Sequence, residues 1–295
     1  MSQRKIILFT NIDTDADFKI TRQVDEILKS SGWQTVLCPL SIDDSAEIDF
    51  SKLTPPKGYK FSNIENELAS AEMIITFGGD GTILRAARAA SELSVPILGI
   101  NLGGKGFMAE LEAEDIGLLK SVANGEYSIE TRIMIDVEVL REGETICRDF
   151  ALNDIVVKGD NKVIDMTIYG DNQRITHFFG DGAVIATPTG STAYSMSAGG
   201  PIVDPAAKNI IITPICAHIL EARSFVLVLG RVVTVEIGYK KSNPSYISVD
   251  GGSHINTQSG DIVKVFKSER ITQLVRLSDK SFFNKISSKL ISHRV

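Results

Sequence analysis

The chain has 295 residues, with 31 Lys plus Arg against 37 Asp plus Glu, a formal net charge of −6. That balance excludes a general nucleic-acid binder, whose footprint is a basic patch or stripe, but still allows a small anion held by a few aimed donors. Hydrophobic residues make up 43% and charged residues 23%, ordinary globular values, and at about 150 residues per domain the length predicts two domains.

Cys38, Cys147 and Cys216 are far apart and odd in number, and no CxxC pair occurs. Neither a disulfide framework nor a cysteine-based zinc site is expected. His177, His218, His254 and His293 form no metal-ligand spacing, so no protein-held metal is predicted. The apolar run Ile6 to Phe9 is too short for a signal peptide. The longest apolar run, Ile210 to Leu220, is interrupted by Pro214 and His218 and falls short of the ~20 residues that span a bilayer. The expectation is a soluble cytoplasmic protein with no membrane or nucleic-acid partner.

In chain order, Ile6 to Phe9 reads as a buried parallel strand. Phe18, Ile20, Val24, Ile27 and Leu28 recur at near-helical spacing and Gly32 closes the segment. Trp33 to Leu37 predicts a second strand, and Pro55, Pro56 and Gly58 mark a loop. Met73 to Phe77 predicts a third strand running into Gly78-Gly79-Asp80-Gly81-Thr82, followed by a helix over Ile83 to Leu93 and a strand over Val95 to Ile100. This alternation predicts a Rossmann-like parallel sheet flanked by helices. Near residue 130 the period becomes two: Ile133, Ile135, Val137 and Val139 alternate with Arg132, Met134, Asp136 and Glu138. Strand-like runs follow at Ala151–Lys158, Val163–Tyr169, Arg174–Phe179, Ala183–Thr187, Phe225–Leu229, Val232–Ile237 and Ile262–Phe266. The second half is expected to be a β-sandwich of antiparallel sheets. Phe282, Phe283, Ile286, Leu290 and Ile291 give the end an amphipathic, helix-like pattern. The expected domains are 1–125, α/β, and 126–270, β-rich, with a tail over 271–295.

Three segments could carry chemistry. Gly78 to Thr82 stands between a strand and a helix, where ligands sit in open α/β sheets. Its glycines permit close backbone approach to a phosphate or sugar, and the helix start favours an anion. Asp80 is the anomaly there: a carboxylate serves as proton acceptor for an attacking hydroxyl or as a Mg²⁺ holder, unless it is simply a helix cap. Thr187 to Pro201, TPTGSTAYSMSAGGP, packs small residues and hydroxyls around Tyr194, which could stack on a base. Asn153-Asp154 could grip a diol, provided the strand bends or begins there, because neighbours in a strand face opposite ways. Two further patterns are weaker. Gly99 to Lys105 has the GxxxxGK spacing, but Gly106 follows in place of the Ser or Thr of a Walker A loop. Gly104 to Ala109 fits GxGxxA without a helix or acidic residue to support it.

Together these segments resemble the NAD kinase family. GGDGT, Asn153-Asp154 where the family has Asn-Glu, and the Thr187 to Pro201 segment fall in the family's order. Asn101-Leu-Gly103 with Gly106-Phe107-Met108, and Pro214 to His218, resemble two further family stretches. GGDGT alone is shared with lipid and sphingoid kinases; the longer segment is more specific. The resemblance implies NAD bound between an α/β and a β-rich domain, and a C-terminal tail packing back on the first. It implies Asp80 as general base and Gly78, Gly79, Gly81 and Thr82 as the phosphate and donor loop. Asp80, Gly81 and Arg85 would contact NAD. Asn153 and Asp154 would hold the nicotinamide-side ribose or its neighbourhood. Thr192, Ala193, Tyr194, Ser195, Met196 and Ser197 would line the adenosine side, with Tyr194 as a wall. Asp181 would contact the dinucleotide from its own or a neighbouring subunit, and His218 and Phe107 are second-rank candidates. The chain departs from the family at Asp154, one methylene shorter than Glu, at Lys105, and at Gly252 where Gln is common.

The implied reaction moves the terminal phosphoryl of ATP, or of polyphosphate, to the 2′-hydroxyl of the adenosine ribose of NAD, giving NADP. It needs a divalent metal, Mg²⁺ or Mn²⁺, and a homotetramer or homodimer is expected. Three other readings stand beside it: a lipid or sphingoid kinase sharing GGDGT, a non-catalytic NAD-binding sensor, and a hydride-transferring dehydrogenase, for which a convincing fingerprint is lacking.

Overall fold

A computed structural model describes residues 4–40, 53–103, 106–218, 222–240, 243–278, 282–287 and 289. Gly104 and Lys105, on which the two weaker glycine patterns depend, lie outside them, as do Leu290, Ile291 and His293. The chain divides into two compact units, residues 1–131 with 272–295, and residues 132–271.

In the first unit, strands β1 (Lys5–Asn11), β2 (Gln34–Leu40), β3 (Met73–Gly78) and β4 (Ile97–Asn101) pair in parallel in the order β2-β1-β3-β4, and β5 (Leu111–Glu112) adds to β4. Helices α1 (Lys19–Ser30), α2 (Ile64–Glu67), α3 (Asp80–Ala90) and α4 (Leu119–Ala123) accompany them. All six residues of β3 and all five of β4 are buried, which is why these strands read as continuous apolar runs and not as alternating ones. Asp15 starts α1 by accepting the N–H groups of Ile20 and Thr21 at 3.0 and 2.8 Å. Gly32, with φ +85°, turns the chain after α1 ends.

The helix after GGDGT differs from expectation. It begins at Asp80, not Ile83, and ends at Ala90, not Leu93. Gly79 is the extended residue before it, so Asp80, Gly81 and Thr82 form its first turn and only Gly78 and Gly79 remain as the turn itself. Past the helix end the chain turns through Ser94, at φ 50°.

The second unit contains β6 (Ser128–Arg141, entering from the first unit), β7 (Glu144–Ala151), β8 (Asp154–Gly159), β9 (Ile164–Gly170), β10 (Gln173–Gly180), β11 (Gly182–Ala186), α5 (Tyr194–Ser197), β12 (Asn209–Ile215), β13 (Phe225–Val228), β14 (Val233–Ile237), β15 (Ser245–Val249), β16 (Ile255–Thr257) and β17 (Ile262–Arg276, whose last residues belong to the first unit). One antiparallel sheet has the order β13-β12-β11-β8-β15-β16; the other contains β10-β9-β14-β17 with the β6–β7 hairpin. Ile135, Val137, Met166, Val235 and Val263 from one sheet share a core with Ile155, Val157, Ile185, Ile212 and Ile247 from the other. This is the expected sandwich. The predicted strand Ala151–Lys158 is two strands broken at Leu152-Asn153, and Ile262–Phe266 is the first third of a strand reaching Arg276. Strands β7, β12, β15 and β16 escaped the sequence reading. In β12, Pro214 lies past Ile212, the last residue paired with β13, so its missing N–H interrupts no ladder there.

After β17 the chain adds α6 (Phe282–Ile286) to the first unit. There Arg276 bonds Glu130 at 2.5 Å, the Met108 carbonyl at 2.9 Å and buried Glu110 at 3.3 Å, while Lys285 donates to the Ala109 carbonyl at 2.8 Å.

Candidate functional site

In the first unit the site is built on the C-terminal ends of β3 and β4. Gly78 has φ +155°, and a Cβ there would lie 2.2 Å from the Thr82 hydroxyl; only glycine lets the helix start this close to the strand. Both carboxylate oxygens of Asp80 are engaged, one by the Phe107 N–H at 2.8 Å and the other by the Met108 N–H at 3.1 Å. Phe107 thus meets Asp80 through its backbone. A carboxylate has about four acceptor positions, so these two bonds fix its orientation and leave lone pairs for a hydroxyl. Asn101, at the end of β4, accepts the Gly103 N–H at 3.3 Å and donates to Glu112 at 2.6 Å. Arg85 lies further along α3, half-buried.

In the second unit, the Asn153-Asp154 and Thr187 to Pro201 segments are one piece of architecture. The Thr187 N–H donates to the Asn153 carbonyl at 2.9 Å, and its hydroxyl donates to the Leu152 carbonyl at 2.5 Å while accepting the Gly190 N–H at 3.1 Å. Gly190 packs on the backbone of Asn153: an added Cβ would stand 2.1 Å from its carbonyl oxygen and 2.5 Å from its carbonyl carbon. Thr189 accepts from the buried Arg132 guanidinium at 3.2 Å.

Asp250 completes this arrangement. Its carboxylate accepts the N–H groups of Leu152, Asn153 and Asp154 at 2.8, 2.7 and 3.0 Å. Three donors converging on one carboxylate hold the break between β7 and β8 open as a turn, and β8 begins at Asp154. That break lets Asn153 and Asp154 line the same cleft, the condition the sequence set. The cleft has a volume of about 390 Å³ and is also lined by Val156, Lys158, Ala193, Tyr194, Tyr246, Ser248, Asp250, Gly251 and His254.

Of the predicted adenosine-side residues, Ala193 and Tyr194 line this cleft, and Tyr194 is 37% exposed. Ser195 is fully buried and its hydroxyl pairs with Thr213 at 3.0 Å; the Thr192 hydroxyl donates to the Thr189 carbonyl at 3.3 Å. These two hydroxyls brace the segment internally. Met196 is half-buried and Ser197 exposed; neither lines the cleft. Asp181 sits in the turn before β11, its backbone bonded to Ile215 and Gly159. His218 is exposed, its N–H donating to the Phe179 carbonyl. The sequence reading missed Lys158, Tyr246, Ser248, Asp250 and His254. The alternation Asp154-x-Val156-x-Lys158 and Tyr246-x-Ser248-x-Asp250 was the available signal, since period two places each set on one face.

Burial, then the nearby charge of Asp250, pushes the Asp154 carboxyl up from 3.8 to about 7. The folded protein therefore holds this proton more tightly than the unfolded chain. The resulting cost to stability is absent below about pH 3.8, grows as pH rises, and is complete above about 7. Asp154→Asn should accordingly raise Tm relative to the parent by an increment that widens from pH 4 to pH 8. Thermal melts across that range check this; an increment independent of pH would contradict it.

Among the described residues, no three His, Cys, Asp or Glu side chains cluster to hold a metal ion, and no helix is long and apolar enough to cross a membrane.

A glycine-tight strand-to-helix turn with a backbone-held carboxylate, and a β-sandwich cleft of acids, an amide and aromatics, define a nucleotide-handling protein with α/β and β domains. Comparison with known proteins agrees. The family model for the ATP-NAD kinase N-terminal domain matches residues 6–127 and that for the C-terminal domain matches residues 152–277. NAD kinases from Ruminiclostridium cellulolyticum and Natranaerobius thermophilus are 35% and 37% identical, covering 99% and 97% of this chain and 99% and 98% of their own. An NAD kinase from Archaeoglobus fulgidus, solved in complex with ATP, superposes with a TM-score of 0.71 at 25% identity, over 98% of this chain and 99% of that one. A yeast NADH kinase complexed with NADH shares the fold, with a TM-score of 0.83 at 22% identity over 99% of this chain and 88% of that one. The chain belongs to the NAD kinase family.

Proposed function

We propose that this chain is an NAD kinase that transfers the terminal phosphoryl of ATP, or of polyphosphate, to the 2′-hydroxyl of the adenosine ribose of NAD. The observation that carries the reading is the match of both family domains to the two units that hold, at their strand ends, GGDGT and the Thr187 to Pro201 segment. Neither a lipid kinase nor a sensor finds a counterpart among these relatives. The hydroxyl oxygen forms the new bond to phosphorus, the bond to the leaving phosphate breaks, and the hydroxyl proton passes to a carboxylate. Asp80 takes that role, oriented by two backbone donors. The rest of catalysis is positioning and charge neutralisation. Mg²⁺ or Mn²⁺ enters with ATP as the metal–nucleotide substrate. Asn153 and Asp154 hold ribose hydroxyls, Tyr194 walls the adenosine side, and Asp181, Arg85 and His218 take outer positions. One observation favours a second assignment of the base: Asp154, raised to about 7, is matched to proton transfer near neutral pH.

Purified protein incubated with NAD, ATP and Mg²⁺ should form NADP. Folded protein that binds NAD but makes no NADP with ATP or polyphosphate would leave the sensor reading in its place.

We also place the protein in the cytoplasm as a homotetramer or homodimer. Strand β13 is the edge of its sheet and exposes Val226 and Val228 at 49% and 65%, an edge that needs covering. Light scattering should report a multiple of the chain mass at micromolar concentration; a fully active monomer would reject the oligomer.

A further inference from the structure

Within the first unit, the loop that holds Asp80 is itself held by the C-terminal tail. The loop's N–H groups serve the carboxylate: Phe107 and Met108 donate to its two oxygens. Gly106 packs so close that an added Cβ would stand 2.9 Å from one of those oxygens. The loop's carbonyls are taken by three cations of the tail. Arg276 donates to the Met108 carbonyl at 2.9 Å, Lys285 to the Ala109 carbonyl at 2.8 Å, and Lys289 to the Gly106 carbonyl. Buried Glu110 ties the tail to the same loop. It accepts the N–H groups of Leu277 and Ser278 at 3.1 Å each and the Ser278 hydroxyl at 3.0 Å. Its own N–H donates to the Gly99 carbonyl at 2.9 Å, which seats the loop on β4.

These cations are not equivalent, because each peptide unit joins the carbonyl of one residue to the N–H of the next. The unit that Lys289 takes runs from the Gly106 carbonyl to the Phe107 N–H, and that N–H donates to Asp80 at 2.8 Å. The unit that Lys285 takes ends on the Glu110 N–H, which goes to Gly99 and not to Asp80. A peptide is planar, so fixing its carbonyl fixes the direction of its N–H. A cation on the carbonyl also polarises the unit, and bonds in such a chain strengthen one another. Glu112, on β5, stands 3.6 Å from the Lys289 ammonium and steadies it there. We propose that Lys289 is a positioning residue for Asp80, acting through the Gly106–Phe107 peptide. The tail residues before it, anchored on Glu110, carry Lys289 to this point. The proposal rests on Asp80 being the base of the kinase reading.

Steady-state rates of the full chain with NAD, ATP and Mg²⁺, beside amide hydrogen exchange, test this. Lys289→Met should lower kcat about tenfold, the order expected when a charge-assisted bond is lost and a reacting group drifts, while NAD affinity stays within about twofold. Lys289→Arg, which keeps a donating cation, should restore most of the rate. In an Asp80→Asn background the methionine variant should change the residual kcat by less than about twofold, because the group it acts through is gone. Exchange in the segment bearing Phe107 and Met108 should speed up in Lys289→Met. Lys285→Met should lower Tm while kcat stays within about twofold. Lys289→Gln carries the same expectations should the methionine variant not fold. An unchanged kcat in the Lys289 variants, or a tenfold loss that persists without Asp80, would overturn the positioning role. An equal fall in kcat for Lys285→Met would make the effect one of tail docking in general and overturn the particular role of Lys289. Wild type that makes no NADP would overturn the kinase reading, whereas unchanged exchange at Phe107 would overturn the hold of Lys289 on that peptide.

Discussion

Asp80→Asn should lower kcat by about 10²–10⁴, the usual contribution of a general base, while NAD affinity stays within a few-fold. The amide keeps the shape of the carboxylate and one acceptor oxygen, so one of the bonds from Phe107 and Met108 survives while the proton acceptor is lost. Asp154→Asn should behave in the opposite way. At pH 8, above the raised value of the Asp154 carboxyl, it removes a charged acceptor for ribose hydroxyls and should weaken NAD binding about 10- to 150-fold, equivalent to about 1.5–3 kcal/mol, with kcat at saturation little changed. Steady-state rates beside calorimetry separate the two. A pure kcat defect in Asp154→Asn, with a rate profile that loses an inflection near pH 7, would move the base to Asp154, whose carboxyl is raised to about 7. Loss of NAD binding in Asp80→Asn with kcat intact would remove Asp80 from the chemistry.

Gly190→Ala should be nearly as damaging although it adds one methyl group and removes no polar contact. The new Cβ would stand 2.1, 2.5 and 2.9 Å from the O, C and Cα of Asn153, and these are backbone atoms that cannot rotate away. Relief requires Asn153 to move by about 1 Å, a displacement that can cost about 10²-fold when it misplaces a binding group. Overpacking of this kind costs about 1–3 kcal/mol, which lowers Tm by roughly 2–12 °C in a protein of this size. Gly230→Ala, with nothing within 4 Å of the added atom, is the control. NAD affinity and thermal melts in Gly190→Ala matching that control would show that Asn153 does not depend on this packing.

Local features were legible in the sequence because their causes are local. The buried β3 and β4 are apolar runs, the period-two segment near residue 130 became β6, and Gly78 to Thr82 marks a strand-to-helix turn by its glycines alone. Boundaries slipped where a neighbour decided them. Leu152-Asn153 is apolar and polar in a way that continues a strand, yet Asp250, about a hundred positions away, breaks it by drawing three N–H groups together. β12 was hidden because Pro214 falls within its apolar run, and a proline argues against an inner strand.

The same division holds for the site. Composition and charge argue against a general nucleic-acid binder, and the GGDGT and Thr187 to Pro201 segments carried the family, because glycine, hydroxyl and carboxylate side chains act there at fixed short spacings. Which of those side chains line the cleft was settled only by packing. Ser195 and Thr192 turn their hydroxyls inward, whereas Tyr194 lines the cleft. Lys158, Tyr246 and His254 reach that cleft because β8 and β15 pair in one register out of several the sequence allows. Asp154 owes its raised pKa to burial and to Asp250. A residue's type and its neighbours in sequence are fixed locally, but burial, register and approach between distant backbones arise only when the sheets close on one another.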